Sequence, residues 1–232
     1  MENMKYIVAT IKPWNILVYN EIISKYPGEW HLITDTIDLT VEKVKSIDPV
    51  YIFFPHWSHI VPKEILNLTT CVCFHETDLP YGRGGSPIQN LISRGYTETV
   101  ITALKMTEKV DAGDIYLKVP LSLDGLAEEI YNRAAIKIAY MIDWMTKSHR
   151  VAIEQKGEIV SFQRRTPDLS IIPPLEDMLD LFNHIRMHDA DSYPKAYINY
   201  GIYRIEFTRP ALRTGDMLAD ARITIRKDEV NA

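Results

Sequence analysis

Short apolar runs alternate with helically spaced apolar residues through the first half of the chain. The runs are rich in β-branched and aromatic residues and predict buried strands, whereas the helical spacing predicts helices that bury one face. Strands that alternate with helices in this way predict a doubly wound α/β fold with a mostly parallel sheet. The predicted strands are residues 6–11, 31–34, 50–55 and 70–75, and the predicted helices are residues 15–25, 40–46, 62–66 and 86–93.

The same alternation continues to about residue 150 and then stops. Residues 97–105 and 114–119 predict two more strands, and residues 125–148 predict a long helix with one apolar face. We therefore predict that a core domain occupies residues 1–150.

The composition of residues 151–232 differs from that of the core. Residues 151–175 contain several prolines and mixed charge, which predicts a linker on the surface. Residues 175–187 have the spacing of an amphipathic helix. Two alternating segments within residues 195–225 predict a β-hairpin. The expected accessory region is therefore a linker, a short helix and a hairpin.

Composition and charge restrict the partners that we expect. A net charge of −5 without a basic run gives no electrostatic footprint for a polyanion, so no nucleic-acid partner is expected. No apolar run reaches membrane-spanning length, and the N-terminus lacks the features of a signal peptide, so we expect no membrane contact. Cys71 and Cys73 are predicted not to form a disulfide with each other, which favours a reducing cytoplasm.

The stretch CVCFHETDLPYGRGGSP at residues 71–87 contains the first candidate chemistry. A predicted strand ends at His75, and a polar, glycine-containing loop follows. Ligands of open parallel sheets bind at the carboxyl ends of the strands, and histidine titrates in the range that suits proton transfer. A histidine in front of a loop is also commonly a capping or core residue, so this stretch alone leaves both alternatives open.

A second stretch, KMTEKVDAGDIYLK at residues 105–118, contains the turn Asp111-Ala112-Gly113-Asp114. Taken alone, such a sequence is most often an ordinary β-turn, because aspartate and glycine are favoured there for backbone reasons. The two stretches occur in one chain, with His75 and Asp111 separated by 36 residues. This combination is more informative than either part.

Together these residues resemble the 10-formyltetrahydrofolate-dependent formyltransferase family, which includes methionyl-tRNA formyltransferase, glycinamide ribonucleotide formyltransferase and the sugar N-formyltransferases. The resemblance is strongest over residues 50–145 and continues weakly to residues 193–197. It implies a Rossmann-like fold and transfer of a formyl group from 10-formyltetrahydrofolate to a primary amine. The matching residues are Cys73-Phe74-His75, Asp78-Leu79-Pro80, Arg83-Gly84, Pro87 to Ile92, and Met106 with Asp111 and Gly113.

The resemblance implies that His75 and Asp111 are catalytic, together with Cys73 at the position of a family asparagine. Cysteine is a poorer hydrogen-bond donor than an amide, so the substitution removes a donor that stabilises the tetrahedral intermediate. Another donor such as a backbone N–H or Asn90 could compensate, or the enzyme could be slow. A third alternative is a non-catalytic module that binds folate or a nucleotide.

The resemblance also implies where the formyl donor binds. Aromatic and aliphatic side chains with backbone amides suit a flat, partly apolar pterin. No metal is expected, because His56 and His59 have no matching cysteine or carboxylate pair and are read as loop or pocket residues. The implied donor-binding residues are Phe54, Pro55, Trp57, Ile60, Asp111 and Asp114.

For the acceptor, the compact core and short accessory region resemble most closely the sugar N-formyltransferases. The implied substrate is a nucleotide-linked amino sugar of a surface-glycan or nonulosonic-acid pathway, and the implied assembly is a homodimer. Trp14 either stacks on the substrate or packs against a helix. Glycinamide ribonucleotide and an aminoacyl group remain alternative acceptors. The implied substrate-binding residues are Lys12, Trp14, Arg83 and Gly84.

Overall fold

The computed structural model describes residues 4–148, 151–191 and 193–226. They form two compact units whose segments interleave along the chain. The domain boundary predicted at residue 150 lies outside the described residues. Within these ranges the first unit comprises residues 4–84, 99–121 and 131–161, and the second comprises residues 85–98, 122–130 and 162–226.

A six-stranded sheet forms the centre of the fold. Its strands are β1 (Lys5–Ala9), β2 (Glu29–Ile33), β3 (Tyr51–Pro55), β4 (Thr70–His75), β6 (Glu98–Lys105) and β7 (Ile115–Ser122). The order across the sheet is β2-β1-β3-β4-β6-β7. The first four strands in that order run parallel, and β6 pairs with β4 in the antiparallel direction. The predicted mostly parallel α/β architecture is therefore confirmed.

Four helices connect or follow these strands: α1 (Pro13–Glu21), α2 (Val41–Ile47), α3 (Lys63–Leu68) and α5 (Ala127–Ser148). A proline starts α1, where its missing N–H costs no hydrogen bond. The α2 helix begins after Thr40, whose hydroxyl oxygen accepts a hydrogen bond from the Lys43 N–H. The predicted helix at residues 15–25 is too long, since α1 ends at Glu21 and a short 3₁₀ turn follows.

Alternate residues of the central strands bury one face of the sheet in a continuous apolar cluster. Ile7, Ile52 and Phe54 contribute from neighbouring strands and are almost completely inaccessible to solvent. Cys71 belongs to the same cluster, and Cys73, two residues further along β4, packs against it from the same face. Both cysteines are free thiols.

Two short strands outside the central sheet have no counterpart in the sequence prediction. Strand β5 (Tyr81–Gly84) lies in the glycine-containing loop after β4, and it pairs with β8 (Val160–Phe162). The segment predicted as a linker at residues 151–175 contains β8 and a 3₁₀ helix at Pro167–Ser170. It also contains Ile153, which forms an isolated antiparallel bridge with Ile115.

The second unit contains α4 (Pro87–Ile92), α6 (Met178–Arg186) and a three-stranded sheet. Asp177 caps α6 by accepting a hydrogen bond from the Leu179 N–H. The order of the sheet is β11-β10-β9, so the predicted hairpin is incomplete because a third strand joins it. The strands are β9 (Ala196–Tyr200), β10 (Tyr203–Leu212) and β11 (Met217–Ile225).

A β-bulge interrupts the pairing of β10 with β11. Arg209 and Pro210 face the single residue Ala219, because the register changes between Thr208 and Ala211. Arg209 has a φ of 50°, and its backbone N–H donates to the carboxylate of Asp189 at 2.6 Å. The bulge places a proline where no ladder hydrogen bond is required of its nitrogen.

Among the described residues, none of the helices combines the length and the apolar composition required to cross a membrane.

Candidate active site

His75 is the last residue of β4 and lies at the carboxyl end of the parallel strands, as predicted. Its side chain is almost completely buried, and its Nε2 atom lies 2.7 Å from the carbonyl oxygen of Gly82. A carbonyl oxygen can only accept, so Nε2 carries the proton that it donates to Gly82. In the neutral ring the lone pair is then on Nδ1, which is the atom able to accept a proton.

Asp111 reaches the same site from the turn between β6 and β7. Its Oδ2 atom lies 3.7 Å from His75 Nδ1 and accepts a hydrogen bond of 2.9 Å from the Gly84 N–H. Asp111 has a φ of 51°, a left-handed conformation that aspartate tolerates better than most residues. The structure therefore brings together His75 and Asp111, which the sequence analysis paired across 36 residues.

Gly113 shows why the turn needs its glycine. A Cβ atom there would lie 1.8 Å from the carbonyl oxygen of Lys105, which is far inside van der Waals contact. The Lys105 N–H donates to the Asp114 carbonyl at 2.8 Å, so the turn is bound closely to the end of β6. This close backbone approach fixes the place from which the Asp111 carboxylate reaches His75.

Cys73 lies two residues before His75, so strand alternation places both side chains on the same face of β4. Burial raises the pKa of the Cys73 thiol well above its usual value, and the negative charge of Asp111 raises it further. Cys73 is therefore a protonated thiol at neutral pH. It can donate a weak S–H hydrogen bond, but it does not supply a thiolate nucleophile.

A buried network around His56 and Glu76 lies beside this site, and the sequence analysis did not assign it. His56 Nε2 lies 2.8 Å from a carboxylate oxygen of Glu76, and both side chains are buried. Burial alone would raise the pKa of Glu76, but His56 and then His75 outweigh it and lower that pKa below its ordinary value. Only the adjacency of Glu76 to His75 could have indicated its presence near the site.

Trp14 belongs to this network, and of the two alternatives given for it the structure shows packing against a helix rather than an exposed ring for stacking on a substrate. Its indole lies parallel to the Tyr131 ring with centroids 4.9 Å apart, and only 4% of the residue is exposed. Its Nε1 atom donates to His56 Nδ1 at 3.2 Å. Because Trp14 is covered by Tyr131 of α5, it is unable to stack on a ligand.

Gln155 is a second residue that the sequence analysis missed. Its Oε1 atom accepts hydrogen bonds from Nε and Nη2 of Arg83 at 3.2 and 2.8 Å. Its Nε2 atom donates to the carbonyls of Asp111 and Gly113 at 2.9 and 2.8 Å. Nothing in the local sequence indicates this role, because Gln155 lies in the predicted linker and finds its partners only in the folded chain.

The residues expected to bind the formyl donor separate into two groups. Phe54 and Pro55 are buried, and Phe54 is part of the apolar cluster, so their assignment as lining residues is corrected: they support the site from within the core. Trp57 is partly exposed, and its buried Nε1 atom has no hydrogen-bond partner among the residues that the structure describes. The side chains of Ile60 and Asp114 are exposed.

The unpaired indole N–H of Trp57 fits a ligand with hydrogen-bond acceptors at its edge, as a pterin has. The described residues also bear on metal binding. They contain no group of three or more histidine, cysteine or acidic side chains arranged to hold one.

The other residues named from the sequence are the implied substrate-binding residues Lys12 and Gly84 and the candidate compensating donor Asn90. Lys12 is half-buried at the start of α1, and its Nζ atom lies 5.6 Å from the Trp14 ring centroid. Gly84 contributes the backbone N–H to Asp111. The side-chain N–H groups of Asn90 are directed to the carbonyls of Gly85, Ser86 and Gln163. The Asn90 amide is therefore committed to backbone carbonyls and is not available as the compensating donor.

The fold is a mostly parallel α/β sheet, with His75 at the end of β4 and Asp111 in the turn between β6 and β7. The chain matches the sequence profile of the formyl transferase family over residues 36–137. Residues 167–224 match the profile of the C-terminal domain of methionyl-tRNA formyltransferase. The protein belongs to the formyl transferase family.

Individual relatives support this membership. The methionyl-tRNA formyltransferase of Bacillus cytotoxicus is 30% identical over 168 residues, which cover 67% of this chain and 52% of that protein. The corresponding protein of Lysinibacillus sphaericus is 23% identical over 199 residues, covering 81% of this chain and 63% of that protein. The chain thus spans about half the length of the curated relatives it matches.

Solved structures show the same fold. A methionyl-tRNA formyltransferase from Clostridium thermocellum has 47% identity and a TM-score of 0.91, covering 96% of this chain and 100% of that chain. A 4-N formyltransferase from Francisella tularensis has 15% identity and a TM-score of 0.67, covering 98% of this chain and 100% of that chain. At that lower identity the likeness extends to the fold only.

Proposed function

We propose that the protein transfers a formyl group from 10-formyltetrahydrofolate to a primary amine. The observation that carries this proposal is the position of Asp111 Oδ2, which lies 3.7 Å from His75 Nδ1 and accepts from the Gly84 N–H. The reaction needs one group that first accepts and then returns a proton, and an oriented histidine suits both moments.

His75 acts as the base through Nδ1 and as the acid through the same atom. Its Nε2–H is already donated to Gly82, so the ring can receive the proton of the attacking amine only at Nδ1. The positive charge that results lies between the Asp111 carboxylate and the Gly82 carbonyl, which both favour it. The same proton is then available to the departing nitrogen. The present Nδ1–Oδ2 separation shortens to a hydrogen bond when the ring becomes charged.

Cys73 has a secondary part in this proposal. A protonated thiol beside Asp111 and His75 offers a weak donor where the resemblance implies an amide. We infer that a backbone N–H supplies the stronger contact to the developing oxyanion, since Asn90 is committed elsewhere. The intact His75–Asp111 pair favours an active enzyme over a module that only binds folate or a nucleotide.

The formyl donor supplies a carbonyl carbon that an uncharged amine can attack. Trp57 donates its unpaired Nε1–H to the bound donor, and Ile60 covers an apolar face. Asp111 and Asp114 bound the opposite side of the site from the turn after β6. Phe54 and Pro55 keep this strand end rigid from beneath, because both are buried.

We propose a nucleotide-linked amino sugar as the acceptor. Arg83 is oriented by the neutral Gln155 and retains its charge for an anionic group such as a phosphate. Lys12 adds a second positive charge near the start of α1, and Gly84 permits close approach of backbone. A net charge of −5, with acidic and basic residues in similar number after residue 162, speaks against a long phosphate backbone.

Methionyl-tRNA is the second candidate acceptor, and the names of the relatives favour it. The structure with 47% identity is named a methionyl-tRNA formyltransferase, and residues 167–224 match the C-terminal domain profile of that enzyme. The two acceptors differ in what they require of the protein. A tRNA needs an extended basic surface, and its binding weakens steeply as salt concentration rises.

The deciding experiment offers both classes of acceptor to one preparation. UDP- and dTDP-linked amino sugars and methionyl-tRNA are each incubated with the protein and 10-formyltetrahydrofolate, and the products are analysed by mass spectrometry. We expect one formyl group on a single sugar nucleotide and none when His75 is replaced by alanine. Formylation of methionyl-tRNA alone would establish the second candidate, and undiminished activity of the His75→Ala variant would refute the mechanism.

We also propose that the protein is a homodimer. Tyr203, Ile223 and Ile225 lie on one face of the sheet formed by β9, β10 and β11 and are largely exposed, although all three are apolar or aromatic. A self-complementary apolar face suits a second copy of the chain. Light scattering should give a dimer for the wild type and a monomer for Ile223→Lys, whereas Thr224→Lys on the opposite face should remain dimeric.

The two free thiols bear on where the protein works. Cys71 and Cys73 are free, and burial raises the pKa of both, so neither is poised for oxidation. We propose the reducing cytoplasm as the compartment. Fractionation of the native host with an antibody to the protein would test this.

A further inference from the structure

Gln155 lies in residues 151–175, for which the sequence predicts only a linker. The segment is fixed nevertheless, because Ile153 exchanges two backbone hydrogen bonds of 2.8 and 2.9 Å with Ile115 at the start of β7. Gln155 follows two residues later and points back towards the turn between β6 and β7. A long-range backbone bridge thus delivers this one side chain to the candidate active site.

The amide of Gln155 uses its whole hydrogen-bonding capacity. Its oxygen accepts two bonds from the Arg83 guanidinium, and its nitrogen donates two bonds to the carbonyls of Asp111 and Gly113. A primary amide has two donors and a carbonyl oxygen with two lone pairs. The side chain is therefore a complete bridge between the guanidinium of β5 and the turn that carries Asp111.

Charge makes this bridge different from an ordinary ion pair. A carboxylate in place of Gln155 would neutralise Arg83 and would face the carbonyls of Asp111 and Gly113 with a second acceptor. The amide instead orients the guanidinium while leaving its charge available. It also holds the backbone of the turn, whereas the Gly84 N–H binds the Asp111 carboxylate.

We propose that Gln155 is a positioning residue that couples an anionic group of the acceptor, bound at Arg83, to the orientation of Asp111 beside His75. The proposal rests on the proposed function. An acceptor lacking the anionic group would leave Arg83 held by Gln155 alone, and the Asp111 carboxylate would then be less well placed when the proton moves. Displacement of a catalytic group by about 1 Å can cost on the order of a hundredfold in rate.

Steady-state kinetics of Gln155→Ala test the coupling, with the amino sugar nucleotide that the wild type formylates as the acceptor. We expect kcat to fall roughly ten- to a hundredfold, KM for the acceptor to rise, and KM for 10-formyltetrahydrofolate to stay within about twofold. The pH dependence of kcat should shift, because Asp111 then stabilises the charged His75 less. Gln155→Glu should fail to restore the rate. The neighbouring exposed Glu154→Ala should match the wild type and control for disturbance of the segment.

A double-mutant cycle separates coupling from independent effects. Arg83→Lys and Gln155→Ala are combined, and kcat/KM for the acceptor is compared with the product of the two single effects. We expect the double variant to lose roughly tenfold less than that product, because the second change acts on a bridge that is already broken. Simple multiplication of the two effects would overturn the proposal.

Amide hydrogen exchange of Gly84 supplies a readout that needs no acceptor. In the full-length protein without substrates, Gln155→Ala should accelerate this exchange at least about tenfold relative to both wild type and Glu154→Ala. Unchanged exchange would overturn the role of Gln155 even if formylation is observed. Accelerated exchange in a protein that formylates no acceptor would support the bridge and reject the proposed function instead.

Discussion

The carboxylate of Asp111 and the backbone N–H of Gly84 form a 2.9 Å hydrogen bond that fixes a negative charge 3.7 Å from Nδ1 of His75. One oxygen atom, Oδ2, makes both contacts, so the Gly84 N–H decides which part of the carboxylate faces the imidazole. The backbone of β5 thus takes part in the site through an N–H group that every residue except proline would keep at position 84.

Replacing Asp111 with asparagine should lower kcat at least a hundredfold and leave folate affinity nearly unchanged. The amide has the same shape but no charge to stabilise the protonated ring of His75. Turnover and equilibrium binding of 10-formyltetrahydrofolate are the two measurements. Asp38→Asn, which removes a surface carboxylate 3.8 Å from Lys43, is the matched control. Activity of Asp111→Asn equal to the wild type would remove Asp111 from the catalytic group.

Substitutions of Cys73 test the weak donor at that position. Cys73→Ala should lower kcat less than about tenfold, because a protonated thiol contributes little to an oxyanion. Cys73→Asn should raise kcat, since an amide N–H is a stronger donor and loss of such a donor costs about a hundredfold or more elsewhere. Melting temperatures should accompany the rates, because Cys73 also packs against the core. A Cys73→Asn enzyme that folds but is slower would mean that the site is built around cysteine.

Trp57→Phe should weaken binding of 10-formyltetrahydrofolate by a factor of about two to ten. Phenylalanine keeps an aromatic ring but removes the Nε1–H, and one neutral hydrogen bond contributes about 0.5–1.5 kcal/mol. Calorimetric titration gives the dissociation constant directly. Trp30→Phe is a suitable comparison, because its Nε1–H already donates to the Tyr26 carbonyl at 3.2 Å. If Trp57→Phe and the wild type bind 10-formyltetrahydrofolate with equal affinity, the Trp57 N–H does not contact the formyl donor.

His188 makes the stability of the protein depend on pH. Burial is the main cause that lowers its pKa from 6.5 to about 4; a backbone hydrogen bond to His184 opposes the shift, and the charges of His184 and Arg165 contribute to it. The unfolded chain therefore binds a proton near pH 6.5 and the folded protein only near pH 4. Protonation in this window favours unfolding, so the free energy of unfolding is highest above pH 6.5 and falls towards pH 4 by on the order of 3 kcal/mol.

Urea unfolding at several pH values between 7.5 and 4 measures this dependence. His188→Asn retains an N–H that can donate to the His184 carbonyl but does not titrate, so its free energy of unfolding should fall less steeply over the same range. Other buried titratable groups contribute equally to the pH dependence of the free energy of unfolding in the wild type and in His188→Asn. If the two curves run parallel, His188 is not the origin of the dependence.

Local chemistry explains what could be predicted from the sequence. The alternation of residues 70–75 and the polar loop behind them locate His75 at the end of a strand, and Asp111 with Gly113 defines a tight turn. These features depend on neighbours within a few residues, so they can be predicted without knowing the fold. The parallel sheet follows from the same local alternation and was predicted correctly.

Long-range partners explain what could not be predicted. Gln155 acquires its role from Arg83 and Asp111, which are 72 and 44 residues away along the chain. The sequence leaves open whether Trp14 stacks on a substrate or packs against a helix, and only the fold shows that Tyr131 of α5 covers it. Strand β8 consists of three residues and exists only because β5 lies beside it. None of these pairings leaves a local pattern in the sequence.

The bulge at Arg209 and Pro210 limits how the terminal sheet can assemble. A proline has no N–H to offer, so a slip of β10 along β11 would carry Pro210 into a paired position and leave a carbonyl of the partner strand unmatched. Arg209 adds an anchor, since its N–H reaches Asp189 only in the observed alignment. The two residues therefore specify the register of β10 against β11. A chain that pairs these strands in a shifted register should separate them and pair them again.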